Sequence, residues 1–233
     1  MNFDGKDQYL EERMARFDQW KQEGKIPASS KVIPLQESLF GLQWVLPTQQ
    51  VVELLRNLRT LALTDCTCRT RYNRCDNPRD ICILTNDMAD RWVAEGRARH
   101  IGIEEAKDRL KAAHEHGLVH LSFYNPDQYI YALCSCCACC CHDLQILKKY
   151  QRPDFVVHAD YVAEVDKNVC SGCGACVKRC VFGAQERRGG TVVFQQDQCY
   201  GCGVCVTTCP AGAIRMRLRA QPAQTGPAAV IGR

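Results

Sequence analysis

Eighteen of the 233 residues are cysteine, and their spacing is the first chemistry the chain offers. Cys170, Cys173, Cys176 and Cys180 follow the pattern C-x2-C-x2-C-x3-C. The same pattern returns as Cys199, Cys202, Cys205 and Cys209, closed by Pro210. Three thiolates two residues apart wrap one corner of a cubane, and the fourth lies outside the loop. Gly172, Gly174, Gly201 and Gly203 stand between them, where residues without a Cβ let backbone N–H groups approach the sulfides. Zinc sites favour C-x2-C pairs set far apart, so this duplicated run reads as iron–sulfur ligation.

Ten further cysteines precede residue 142. Cys66, Cys68, Cys75 and Cys82 form one group, and Cys134, Cys136, Cys137, Cys139, Cys140 and Cys141 crowd into 134–141. Six free thiols in such a window would invite oxidation. Metal ligation explains them better, which predicts at least one additional iron–sulfur cluster; structural thiols or zinc are the alternative. Cys66, Cys68, Cys75 and Cys82 suffice for one cubane. Along an extended strand Cys134 and Cys136 would share one face, with Cys137, Cys139 and Cys141 on the other. Ten cysteines accommodate two cubanes with two thiols over, or one larger non-cubane assembly.

The duplicated run resembles the bacterial two-cluster 2[4Fe-4S] ferredoxin family. That resemblance implies one cluster on Cys170, Cys173, Cys176 and Cys209, and a second on Cys199, Cys202, Cys205 and Cys180. It also implies paired terminal strands at 161–165 and 214–217 and a central hairpin including 191–194. Val181 stands where the second repeat has Pro210. The Cys66-Thr67-Cys68-Arg69 run, the segment His116 to His120 and the 134–141 window resemble multi-cluster ferredoxin-like proteins of anaerobes that carry a cysteine-rich N-terminal module. The adjacent pair Cys136-Cys137 is similar to the CCG motifs of heterodisulfide-reductase-type proteins, with Ala138 in place of the glycine.

Arg69, Arg71, Arg74 and Arg79 lie among the first four cysteines. They would stabilise an anionic reduced cluster, receive an anionic substrate or an acidic partner, or form a solvated loop. Gly117 breaks the helix between His116 and His120, which argues against a metal pair there, and His142 reads as the start of a helix. Arg215, Arg217 and Arg219 alternate along the last strand. With Lys178, Arg179, Arg187 and Arg188 they either steer an acidic partner or keep the domain soluble. No catalytic triad, Walker loop or G-x-G-x-x-G loop is present.

These motifs need elements to position them. The composition, 46% hydrophobic and 24% charged, is that of a folded globular chain. No apolar run is long enough to span a membrane. The polar start, Met1 to Leu10, has no apolar h-region, so a reducing cytoplasmic setting is expected for the thiols. A net charge of +4 without a basic run argues against nucleic acid.

Four zones result. Residues 1–47 form a helix, with Leu10, Met14, Phe17 and Trp20 on one face, and an extended arm; Phe40 to Leu46 alternate like a short strand. Residues 48–153 form a helical, cysteine-rich module. It is expected to hold helices near 49–63, 87–95, 103–116 and 143–150, and strands at 118–123 and 128–133. Residues 154–219 form the ferredoxin-like dicluster domain, and 220–233 a disordered tail. The fold class expected is α+β, with a mainly helical N-terminal metal-binding module.

The function expected is multi-cluster electron transfer, as a relay or as a subunit of a larger oxidoreductase. Its cofactors would be two [4Fe-4S] clusters plus at least one more, and its partners redox proteins. One alternative is a reductase whose cluster in the 134–141 region acts on a disulfide, a sulfur species or a small electrophile. Another is a redox sensor or cluster carrier.

Overall fold

The computed structural model describes residues 7–26, 28–33, 58–127 and 130–219. The expected strand at 40–46, the tail 220–233 and most of the expected helix 49–63 lie outside them. The described chain mixes helices and strands in an α+β fold, but the N-terminal module is built on a sheet and is not mainly helical. Its strands are β1 (Ser30–Ile33), β2 (Leu61–Asp65), β3 (Asp80–Thr85), β4 (Arg99–His100), β5 (Val119–Phe123), β6 (Ala132–Cys136) and β7 (Val156–Val157). They form one seven-stranded sheet in the order β4-β2-β3-β6-β5-β1-β7. All its pairings are antiparallel except β1 with β7.

The described end of the expected helix 49–63 is the start of β2. Leu61, Ala62, Leu63 and Thr64 are all buried, because β2 lies inside the sheet and both its faces are covered. A strand buried on both faces shows no alternation, so its apolar run cannot be told from a buried helix by periodicity.

Helices cover both faces. They are α1 (Gln8–Gln22), α2 (Thr67–Tyr72), α3 (Asn86–Ala94), α4 (Ile103–Glu115) and α5 (His142–Lys149). Ala106 and Leu110 of α4 pack on Leu61, Leu63, Ile83 and Leu133. On the opposite face, Ala62, Leu84 and Ala132 share a core with Leu10 and Phe17 of α1, Ala89 of α3, and Leu144 and Ile146 of α5. Asp7 caps α1 by accepting from the Leu10 N–H at 3.3 Å, and it also accepts from the Tyr72 hydroxyl at 2.7 Å. The first helix is thereby tied to the cysteine-bearing α2.

The C-terminal module contains β8 (Tyr161–Val165), α6 (Ala175–Arg179), β9 (Gln185–Arg188), β10 (Thr191–Phe194), α7 (Val204–Thr208) and β11 (Ile214–Leu218). β8 pairs with β11, from Tyr161↔Leu218 to Val165↔Ile214, and β9 with β10. The two modules touch at the C-terminus of α4. There Arg179 donates to the carbonyls of Glu115 and His116 at 2.9 and 3.1 Å. This capping satisfies helix carbonyls left without intrahelical partners. Gly117, at φ +73°, lies so close that a Cβ would collide with the Arg179 guanidinium.

Arg13 of α1 donates from Nε and Nη2 to Oδ1 of Asp143 at 2.9 and 2.7 Å, and the Asp143 side chain is fully buried. Breaking a buried pair leaves an uncompensated charge, at a cost of about 3–5 kcal/mol. Arg13→Leu is therefore expected to lower the urea midpoint of unfolding without changing the slope. The double variant Arg13→Leu/Asp143→Leu should recover most of the loss. Equal destabilisation of the single and double variants would show that the charge pair is not what holds α1 to α5.

Candidate metal centres

All ten N-terminal cysteines converge on one end of the sheet. β2 delivers Cys66, α2 carries Cys68, the loop before β3 carries Cys75, and β3 carries Cys82. β6 carries Cys134 and Cys136, and the turn into α5 carries the other four. Ile83 pairs with Leu133 in the β3–β6 register, so Cys82 and Cys134 face each other one step further along. The chain does not continue as a strand beyond Cys136. It turns at 138–140, and the Cys141 N–H donates to the Cys137 carbonyl at 3.0 Å. The expected alternation of Cys137, Cys139 and Cys141 on one face therefore fails.

Two thiol groups result, and they divide the cysteines differently from their order in the chain. In the first, Cys66 interacts through its thiol with Cys68 and Cys82, Cys82 with Cys134, Cys68 with Cys141, and Cys141 with Cys136. These six form an open string. In the second, the Sγ atoms of Cys75, Cys137, Cys139 and Cys140 all lie within 4.8 Å of one another. Cys75 thus leaves the set Cys66, Cys68, Cys82 with which its sequence position grouped it. All eighteen cysteines are free thiols.

Arg69 lies between the two groups. It is only 1% exposed, and it donates to the carbonyls of Pro78 and Ser135 at 2.8 and 2.7 Å. Its Nε has no hydrogen-bond partner of ordinary geometry, and no carboxylate pairs with it among the described residues. Burial opposes its charge, and the thiols of Cys66, Cys137 and Cys136 offset that, raising its pKa. The Cys66 thiol is pulled down to about 2 by hydrogen bonds from Cys68 and Cys82, with the Arg69 N–H and guanidinium adding to them. A buried cation faced by thiols and, among the described residues, paired with no carboxylate suits an anionic thiolate–metal centre. The other three arginines make different contacts. Arg71 lies over the Tyr9 ring, Arg74 bonds the Cys139 carbonyl and Gln145, and Arg79 bonds Asn73.

In the C-terminal module, Cys180, Cys199, Cys202 and Cys205 line one cavity, walled by Phe182, Phe194 and Tyr200. Cys176 lies in the electrostatic field of Cys170 and Cys209. Cys180 is thus brought to Cys199, Cys202 and Cys205, and Cys209 to the neighbourhood of Cys170 and Cys176; Cys173 is exposed. Burial pushes the Cys202 thiol up to about 12, so a bound cation is needed to hold it as thiolate. Gly172, Gly174, Gly201 and Gly203 all have φ between +68° and +77°. A Cβ on Gly201 would strike the Tyr161 carbonyl oxygen. The donor set and backbone cradle fit two cubanes. On the last strand, Arg215 and Arg217 pair with Glu164, and just past its end Arg219 donates to the carbonyls of Ala159 and Cys199.

A pair of histidines unforeseen in the sequence links the two modules. His114 Nε2 and Thr207 Oγ1 are hydrogen-bonded at 2.8 Å, and Thr207 lies between Cys205 and Cys209. The His114 ring stacks on His120 with centroids 6.1 Å apart. His120 Nδ1 and Ser135 Oγ are hydrogen-bonded at 3.0 Å, and Ser135 lies between Cys134 and Cys136. Only the six-residue gap and the break at Gly117 hinted at it, since the pairing arises from a helix end folding against a strand.

Burial, with the field of His114 adding, pushes His120 down to about 3, so it is neutral in the fold. A depressed pKa contributes stability that is complete above the unfolded value, near 6.5. That stability is lost as pH falls toward 3, by about 1.4 kcal/mol per unit. Urea unfolding of the wild type should therefore weaken between pH 6.5 and 4, and His120→Leu should flatten that part of the profile. An unchanged slope in the variant would assign the acid sensitivity to other groups.

No curated protein matches the chain. Residues 169–213 match the family model of the 4Fe-4S dicluster domain. The match covers the two cysteine repeats and the turns between them, and it makes this C-terminal segment a ferredoxin-like dicluster domain.

Proposed function

We propose that the chain is an electron relay in which the dicluster domain exchanges single electrons with a further iron–sulfur cluster at the end of the N-terminal sheet. The dicluster ligands would be Cys170, Cys173, Cys176 and Cys209 for one cubane, and Cys199, Cys202, Cys205 and Cys180 for the other. The further cluster would take its ligands from Cys66, Cys68, Cys82, Cys134, Cys136 and Cys141. When bound, such clusters supply one-electron steps. With every iron held by a thiolate they do so by outer-sphere transfer.

The observation that carries this reading is the run Thr207–His114–His120–Ser135, buried from His114 onward, which joins the cysteine repeat of one module to the thiol string of the other. Arg69 would hold the charge of the N-terminal centre in a dry setting, and Arg179 would keep the two modules in register. Redox proteins in a reducing cytoplasm would be the partners at either end, the chain acting alone or within a larger oxidoreductase. A second reading draws on the two thiols that a single cubane would leave over in the six-thiol group: a reductase working at that centre.

Anaerobically purified protein is expected to hold about 12 iron and about 12 acid-labile sulfide per chain. About 8 of each would remove the N-terminal cluster and the relay with it. About 16 iron, or sulfide falling several equivalents short of iron, would favour the reductase. Rapid reduction of the dicluster should be followed by electron arrival at the N-terminal centre. His120→Leu should slow that arrival while leaving iron and sulfide unchanged; an unaltered rate would sink the histidine route.

A further inference from the structure

The geometry points to a mononuclear metal site, separate from any iron–sulfur cluster, on Cys75, Cys137, Cys139 and Cys140. It would hold one thiophilic ion in a tetrahedral all-thiolate shell, with Zn²⁺ as the ion. Cys75 Sγ lies 3.7 Å from Cys137 Sγ and 3.8 Å from Cys140 Sγ, and all four sulfurs fall within 4.8 Å of one another. A tetrahedron with Zn–S bonds of about 2.3 Å has edges of about 3.8 Å. The observed spacing is therefore that of four ligands around one ion.

A cubane needs more room, because its four irons already stand apart at separate corners and each thiolate projects outward from its own iron. The same fold provides the comparison. Among the described residues no three sulfurs of the ferredoxin repeats, nor of the six-thiol string, come within 4.8 Å of one another. Only the Cys75 group is drawn to single-ion dimensions.

The surrounding chain holds that geometry. After α2, Asn73 takes a left-handed conformation at φ 47° and turns the chain toward Cys75. The Asn77 backbone N–H and side chain hydrogen-bond the Cys75 thiol. The turn closed by the Cys141 N–H on the Cys137 carbonyl gathers the other three ligands. Gln145 donates to the Cys140 carbonyl at 2.9 Å, and Arg74 donates to the Cys139 carbonyl at 3.2 Å and to Gln145 Oε1 at 2.6 Å. This second layer orients the ligand-bearing backbone. Four thiolates around a divalent ion carry a net negative charge, and Arg69 and Arg74 stand beside them. All-sulfur tetrahedral coordination selects zinc or iron over harder ions.

The test is elemental analysis with X-ray absorption on the full-length wild-type protein purified anaerobically. One zinc per chain is expected, with four sulfur neighbours at about 2.3 Å; one iron in excess of sulfide with the same shell would also support the site. Cys75→Ser and Cys139→Ser, both at half-buried positions, should each abolish that single equivalent while iron and sulfide stay otherwise unchanged. Loss of iron and sulfide together, about four of each, would overturn the proposal in favour of a cubane. So would a wild-type protein with neither zinc nor unpaired iron, a result that needs no variant to fold. The zinc equivalent is read separately from total iron and sulfide, so failure of the relay reading and failure of this site are distinguishable.

Discussion

A guanidinium with almost no exposure sets the terms for the N-terminal end of this molecule. Arg69 is held by the carbonyls of Pro78 and Ser135 and faced by thiols from both cysteine groups. Burying a charge without a partner costs several kcal/mol. The thiols around Arg69 therefore have to carry negative charge, and burial works against that charge at Cys66 and Cys136. A metal centre reconciles these demands, since it ionises the thiols and leaves an anionic assembly for the cation to offset. The sheet, the turn at 138–140 and the short helix α2 can all be read as the scaffold of that arrangement.

The sheet matters because it makes the convergence rigid. Three neighbouring strands, β2, β3 and β6, meet at the same end of the sheet, where Cys66 follows β2 and Cys82 of β3 stands across from Cys134 of β6, and helices on both faces exclude water from the strands. The Arg13–Asp143 pair then fixes the helix that follows the cysteine turn. A site carried on strands and on a helix start is positioned more precisely than one on a long loop. The ferredoxin-like module achieves the same end differently, with left-handed glycines that let the backbone close around each cluster position. Arg179 and the His114–Thr207 contact join the two modules at the end of α4, beside both sets of cysteines.

Spacing alone decided the chemistry of the C-terminal cysteines. A repeat of C-x2-C-x2-C-x3-C encodes its own local loop, in which three ligands stand within a few residues of one another. The hairpin and the paired terminal strands were implied by the resemblance to two-cluster ferredoxins, and β8 does pair with β11 and β9 with β10. The helices at 8–22, 86–94, 103–115 and 142–149 were likewise legible, because each shows a periodic apolar face and a local stop.

Other features depended on partners distant in the chain. Leu61, Ala62 and Leu63 are strand residues only because β3 and β4 flank them and helices cover both faces; their apolar run looks the same in a buried helix. Cys75 parts from Cys66, Cys68 and Cys82 because the left-handed turn at Asn73 sends it to residues 137–140. Cys141 returns to Cys136 because the strand ends and folds back. The stacking of His114 on His120 requires a helix end to settle against β5. Thus the sequence by itself determined that the chain binds metal through cysteine and which eight residues form the ferredoxin repeats. Only the tertiary structure decided how the other ten divide, because their grouping is made by strand register and turn geometry between segments some sixty residues apart.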